Sequence, residues 1–435
     1  MIKIGKNCKV FTDNVEESAL ETIDNLVDSG AFSNSKIRIM PDVHDGKGIV
    51  IGFTAELKNL VNPCHVGVDI GCCIDNCVTS IRVEKATNEK LVQLEESVRK
   101  AIPFGFHIND HCIVDKSHFL KRLNECVAGW SYNWDKIEKK EYTLSDITEL
   151  CKRISLNEDV FWNSLGTLGG GNHFIEFGNC KGFIGYTIHC GSRNLGVKIA
   201  NYHCAIAENV SKNKSDEYKK GVAELIDSLK SSDQTDKIQD EIARYKKEFS
   251  KKYPAGYLYG KEMNDYLNDM VVATFYSIYN HNMISMSIHT CMVDVFNEHF
   301  GLIDYIRSMH NYIDMEDHII RKGAVRAHKN EWLIVPLNMR DGTAICVGKG
   351  NQDWNCSCSH GAGRKMSRSE AKKTLSLDDF KKQMSGIVSI SVCEETIDEA
   401  PDAYKDSKEI LELIKPTCEV SYIIKPLINL KSKEA

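Results

Sequence analysis

Short apolar runs closed off by Gly or Pro dominate the first hundred residues and recur near 165–190 and 330–350. Lys36 to Met40, Phe174 to Phe177 and Trp332 to Val335 are examples. Runs of this length, rich in β-branched and aromatic residues, are too short for helices and read as strands. Between about 200 and 300 the text changes to charged helical stretches such as SDEYKKGVAELIDSLK, followed by Met263, Tyr266, Leu267, Met270, Thr274 and Ile278 at helical spacing. That stripe reads as core packing, with methionine as gap-filler, rather than as a cofactor box. The expected class is α+β: a sheet-rich core with a helical excursion around residues 200–300.

No internal repeat or low-complexity tract is visible, and with only eight prolines there is little to mark a boundary, so residues 1–435 are expected to form a single interwoven domain. A hydrophobic fraction of 42% and a charged fraction of 27% belong to an ordinary globular chain. The start lacks a secretory pattern and no apolar run reaches the roughly 18 residues that span a bilayer, so the expectation is a cytoplasmic protein with no membrane contact. The seventeen cysteines, an odd number, then read as reduced thiols that are buried or ligate metal. A net charge of -6 excludes the global basic field of a non-specific nucleic-acid coat protein. Two local basic groups stand out, Arg321, Lys322, Arg326, His328 and Lys329, and Arg364, Lys365, Arg368, Lys372 and Lys373; both are expected to be solvated surface.

Chemistry is concentrated in short, Gly-flanked segments: MPDVHDGKG from Met40, GVDIGCC from Gly67, GTLGGGNHFIE from Gly166, HCGSRNLG from His189, SMHNY from Ser308 and SHGAGRKMSR from Ser359. Glycine beside a ligand permits positive φ angles and lets a metal or phosphate approach the main chain closely. Asp69 and Cys72, three residues apart around a glycine, can point into one site from a turn, and an ionised Cys72 could bridge two cations. A single histidine is more often structural, but His173, His189 and His310 each sit beside Gly, Asn or Cys in such a segment. Gly166 to His173 lacks the Gly-Lys-Ser/Thr ending of a phosphate loop and runs into strand-like text, so it is not a Walker A loop. Cys356 and Cys358 have no matching second pair and do not read as a zinc ribbon.

In this order the segments, with RKGAVRA at Arg321 and AYKD at Ala403, resemble the RtcB family of RNA ligases over nearly the whole chain. The resemblance implies an RtcB-like fold and the joining of an RNA 3′-phosphate or 2′,3′-cyclic phosphate end to a 5′-hydroxyl end. It implies two Mn(II) ions per chain, one held by Asp69, Cys72 and His173 and the other by Cys72, His189 and His310. Ligand softness by itself would select zinc. His360 matches the histidine that takes up GMP from GTP. Asn172, Glu176, Asn311, Pro336, Asn338, Met339, Thr343, Gly361, Ala362, Gly363, Tyr404 and Lys431 match nucleotide contacts, and Arg193 matches an arginine that meets RNA phosphate. The resemblance further implies action as a monomer with an archease-like activator, in tRNA splicing or RNA repair.

The chain departs from the family where Pro336-Leu-Asn-Met-Arg340 replaces Pro-Gly-Ser-Met-Gly. Losing both glycines removes permissive backbone positions, while Arg340 offers a candidate phosphate contact. Two other readings compete. Asp42-Val-His44 and Gly171-Asn-His173 echo a binuclear metal phosphoesterase, and a homologue without nucleotide turnover would bind RNA and metal only.

Overall fold

A computed structural model of the chain describes residues 1–232, 234–252 and 256–434. Seven antiparallel strands form the larger sheet, in the order Leu302–Met309, Cys73–Arg82, Phe183–Cys190, Phe174–Cys180, Cys418–Leu430, Gly342–Gly348 and Trp332–Asn338. Its two edges curl toward each other until the Ile334 amide donates to Ser308 Oγ at 3.0 Å. Because side chains alternate across a strand, each strand serves two environments. Ile74, Val78, Ile306, Ile334, Ile345 and Ile424 fill the concave interior. On the convex side Ile175, Phe177, Ile184 and Ile188 pack against Leu91, Leu94 and Val98 of helix Asn88–Ala101 and against Ile284, Ile288 and Met292 of helix Gly260–Phe296.

A second sheet of six strands runs Ile2–Ile4, Cys8–Val10, Ile37–His44, Ile51–Glu56, Ile319–Lys322 and Asn311–Ile313. Val10, Ile37, Ile39 and Phe53 on this sheet join Phe119, Trp162, Phe275 and Tyr276 from the helices in one large core. The chain crosses between the sheets at a single residue: strand Leu302–Met309 ends in the larger sheet, strand Asn311–Ile313 begins in the smaller, and His310 lies between them. This junction positions the site.

The helical text expected around 200–300 is helical, as Arg193–Asn213, Ser215–Ser231, Ile238–Lys252 and Gly260–Phe296. Only part of it is an excursion. Helix Ser215–Ser231 buries no residue and leans on its neighbour through the stacked rings of Tyr218 and Tyr245. Helix Gly260–Phe296 is instead a 37-residue spine of both cores, ending where Asn297 turns left-handed at φ 51°. Five of the six stripe residues are buried in it, and Ile278 is half-buried. The first basic group also differs from expectation. Arg321 and Lys322 are buried rather than solvated. Arg321 pairs with Asp314 and Asp317 at 3.1 and 2.6 Å, carboxylates that arrive on the adjoining turn and offset the cost of burying its charge. Among the described residues no helix is long and apolar enough to cross a membrane.

Candidate active site

The six segments singled out in the sequence converge where the two sheets meet. Asp69 and Cys72 come from the turn that enters strand Cys73–Arg82, closed by the Cys72 amide on the Asp69 carbonyl at 3.2 Å. His173 immediately precedes strand Phe174–Cys180, and His189 lies near the end of Phe183–Cys190. His310 is fixed from both sides, its amide donating to the Cys72 carbonyl at 3.0 Å and its carbonyl accepting from the Gly323 amide at 2.7 Å.

The donor atoms form a chain. Asp69 Oδ2 lies 2.9 Å from His173 Nε2, Cys72 Sγ lies 3.5 Å from His173 Nε2 and 3.3 Å from His189 Nε2, and His189 Nε2 lies 3.3 Å from His310 Nε2. Two donors bound to one cation at roughly 2.0–2.3 Å sit about 3.5 Å apart, so the spacing and chemistry of this set fit metal ions. Electrostatics point the same way. Burial, reinforced by the neighbouring imidazoles, holds His189 and His310 well below the ordinary histidine range, so each is neutral and has a lone pair to offer. Neutral imidazole nitrogens at this distance can both ligate one cation. Burial and the adjacent Asp69 push the Cys72 thiol up, and a metal would reverse that by favouring the thiolate. Asp69 is held below the usual carboxylate range despite burial, because His173 lies beside it.

Two glycines are required by close approach. A Cβ on Gly191 would fall 2.0 Å from Asp69 Oδ1, and one on Gly169 would fall 2.0 Å from His173 Nδ1. Arg193 takes the left-handed region at φ 55°. Its side chain donates to Thr167 Oγ1 at 3.0 Å and to the Gly105 carbonyl at 2.6 Å, which places it beside Gly169 and His173.

His360 stands next to the donor chain, its ring centroid 4.9 Å from that of His310. It is held by Asp42, which the sequence offered only as part of the phosphoesterase echo. Asp42 Oδ2 accepts from the His360 backbone amide at 3.1 Å and lies 2.7 Å from Nδ1. A carboxylate only accepts, so Nδ1 carries a proton, and in the neutral tautomer this contact selects, the lone pair is on Nε2. His44 Nδ1 lies 2.8 Å from the Asp42 carbonyl oxygen. Asp42 and His44 are therefore turned to His360 and to the backbone, not to the donor chain, and of the phosphoesterase echo only His173 lies among the donors.

From His360 opens a cleft of about 450 Å³. Eleven of the expected nucleotide contacts line it: Asn172, Glu176, Pro336, Asn338, Met339, Thr343, Gly361, Ala362, Gly363, Tyr404 and Lys431. Asn311 does not; its side chain accepts from the Gly323 amide at 3.0 Å. Glu176 is buried with its oxygens taking hydrogen bonds from Thr343 at 3.2 Å and Asn429 at 3.0 Å, and burial pushes its carboxyl up to about 8. Sequence reasoning also missed Glu399. This buried carboxylate gathers Lys431 at 2.8 Å, Arg368 at 2.6 Å, Arg364 at 3.4 Å and the Tyr404 hydroxyl at 2.6 Å. Those cations hold it down at about 2 despite its burial. The acidic text EETIDEA around it carries no signal that three cations meet there.

The altered Pro336 loop is a hairpin tip in which Asn338 Oδ1 accepts from the amides of Arg340 and Asp341 at 3.0 and 2.9 Å. Neither Leu337 nor Arg340 has positive φ, so replacing the glycines costs no strain here. Arg340, the candidate phosphate contact, is not among the cleft-lining residues; its guanidinium pairs with Asp341 at 2.8 Å.

A second buried group, Cys73, Asp75 and His281, has ligand atoms close enough for a metal. It faces the convex side of the sheet, and Arg307 already neutralises Asp75.

Residues 27–432 match the family model described as tRNA-splicing ligase RtcB. The chain belongs to the RtcB family. It is 30% identical to the RNA-splicing ligase RtcB of Escherichia coli K12, covering 92% of this chain and 91% of the relative. It is similar at 26% identity to the tRNA-splicing ligase RtcB of Pyrobaculum aerophilum, over 86% of this chain and 82% of that protein. A further relative is the RNA-splicing ligase RtcB homolog 2 of Entamoeba dispar, 26% identical over 90% of this chain and 78% of the relative. The α+β architecture with its curled sheet is consistent with that family.

Proposed function

We propose that this RtcB-family chain is a GTP- and Mn(II)-dependent RNA ligase, joining 3′-phosphate or 2′,3′-cyclic phosphate ends to 5′-hydroxyl ends in RNA splicing or repair. The observation that carries the reading is the Asp42–His360 couple, in which Asp42 holds Nδ1 and leaves Nε2 as the free ring nitrogen of a histidine set between a nucleotide-sized cleft and a metal-competent donor chain. The relatives named as RNA-splicing ligases support it.

Asp69, Cys72 and His173 would hold one Mn(II), and Cys72, His189 and His310 the other, with Cys72 shared. When bound, such ions neutralise charge on phosphate oxygens and make nucleophiles of water or hydroxyl. The protein's own groups do the rest. Asp42 orients His360 and offsets the positive charge that grows on its ring as Nε2 attacks the α-phosphorus of GTP. The N–P bond forms as the bond to pyrophosphate breaks. Arg364, Arg368 and Lys431, aligned by Glu399, line the cleft beside His360 and favour an anionic substrate there. Glu176, once ionised by a partner, accepts the two N–H groups on the edge of guanine, where adenine presents an acceptor. GMP then passes to the RNA 3′-phosphate, and attack by the 5′-hydroxyl seals the strand and releases it. Arg193 meets the RNA phosphate. The chain works as one unit in the cytoplasm, as a monomer with an archease-like activator.

The test is incubation with labelled GTP and Mn(II). An acid-labile guanylate on the protein, absent from His360→Ala, is expected; a label that survives this substitution removes His360 from the nucleophile role.

A further inference from the structure

Away from the donor chain, one pair of thiols is in contact. Cys64 Sγ lies 2.8 Å from Cys204 Sγ, and both residues are partly exposed. Cys64 sits in the short turn Pro63–His65, capped by the Asn62 side chain accepting from the Cys64 amide at 2.9 Å. Five residues later that segment delivers Asp69. Cys204 lies in the helix Arg193–Asn213.

The surroundings favour a thiolate on Cys64. Lys322 is buried, and its ammonium donates to three backbone carbonyls, those of Lys47, Ile49 and Cys64, at 2.6, 2.9 and 3.0 Å. Among the described residues it forms no ion pair with a carboxylate, and its contact with the Cys64 carbonyl sets it beside the thiol pair. The hydrogen bond from Cys204, with Lys322 and Lys47, holds Cys64 below the ordinary thiol range against the opposing effects of burial and Glu208. The contrast with the other clustered thiols is sharp. Cys346, Cys358 and Cys418 also meet, but all three are buried beyond reach of solvent.

We propose that Cys64 and Cys204 form a reversible disulfide site, oxidised by hydrogen peroxide, that staples the turn leading to Asp69 and Cys72 onto helix Arg193–Asn213. In the first step Cys64 thiolate attacks one peroxide oxygen; the S–O bond forms, the O–O bond breaks, and the hydroxide released takes a proton to leave as water. In the second, Cys204 sulfur attacks Cys64 sulfur; the S–S bond forms, the S–O bond breaks, and a second water leaves with the Cys204 proton. Two thiols are oxidised and one peroxide is reduced. The same helix already rests on the ligand turn at its other end: a Cβ on Gly196 would lie 2.9 Å from the Ile70 amide nitrogen and 3.1 Å from the Val68 carbonyl. A disulfide at Cys204 adds a second anchor about two turns further along. The proposal is independent of the ligase reading.

The test is peroxide treatment of the full-length reduced protein, followed by alkylation and peptide mapping without reduction. A cross-linked peptide joining Cys64 to Cys204, two hydrogen masses below the sum of its parts and released by dithiothreitol, is expected. Alkylation at both positions should be lost together, more than about tenfold faster than at half-buried Cys126, in line with thiolate fraction. In Cys204→Ser, dimedone should trap a sulfenic acid on Cys64, and in Cys64→Ser position 204 should stay unmodified. Both thiols remaining free while Cys126 is oxidised, or Cys64 cross-linked elsewhere, would overturn the site. Equal dimedone trapping at Cys204 in Cys64→Ser would overturn the role of Cys64 as the attacking sulfur.

Discussion

Replacing Asp42 with Asn tests the orientation of His360 without touching a metal donor. Asp42 is completely buried, and its Oδ2 takes both hydrogen bonds from His360, at 2.7 and 3.1 Å. An asparagine oxygen in that place keeps both bonds, so the ring stays in position and its Nδ1 stays protonated. What is lost is the negative charge opposite a ring that becomes cationic as Nε2 attacks phosphorus. A hydrogen bond to a charged group contributes about 1.5–3 kcal/mol against about 0.5–1.5 for a neutral one, and the difference of about 1–1.5 kcal/mol corresponds to a slowing of guanylylation of roughly 5- to 13-fold. Asp42→Ala, which loses both bonds, should be slower again. The assay is single-turnover transfer of label from GTP to protein, with metal content measured in parallel and expected to be unchanged. A wild-type rate in Asp42→Asn would refute the view that this carboxylate activates the histidine; a slow rate accompanied by metal loss would assign the effect to the donor chain instead.

Further predictions follow from the same geometry. Cys72→Ala should empty both metal positions while His310→Ala empties mainly one, as read by metal analysis of purified protein; full occupancy in the Cys72 variant would refute the shared ligand. Gly191→Ala, whose Cβ would lie 2.0 Å from Asp69 Oδ1, should displace that carboxylate and abolish activity while costing the fold no more than about 1–3 kcal/mol, checked by thermal unfolding. Glu176 has a folded-state value near 8, raised from 4.5, so nucleotide-free protein holds a proton there that the unfolded chain releases. That contribution to stability is complete below about pH 4.5 and is lost at up to about 1.4 kcal/mol per pH unit as pH rises toward 8; Glu176→Gln should remove this dependence in melting curves. Arg340→Ala should leave GTP affinity within about twofold, because a surface pair outside the cleft contributes little.

Much of the donor chain was legible in the text because metal chemistry restricts residue types and close packing demands glycine beside them. Gly191 against Asp69 and Gly169 against His173 are the structural reason the short segments look as they do. What the text hid is pairing at long range. Asp42 and His360 are 318 positions apart, and no local spacing connects them. Glu399 reads as one acid among several until three cations fold onto it. The same limit explains the misread basic group: Arg321 and Lys322 look solvated until Asp314, Asp317 and a set of carbonyls enclose them. The Pro336 loop shows the converse: two lost glycines look disruptive in sequence, yet the hairpin never needed positive φ at those positions.

The most direct measurement is ligation of a defined RNA pair, one bearing a 3′-phosphate and the other a 5′-hydroxyl, by the purified protein with Mn(II) and either GTP or ATP. The account predicts a joined strand with GTP, little or none with ATP, and none from His360→Ala. Release of inorganic phosphate without joining, or joining that proceeds without GTP, would contradict it.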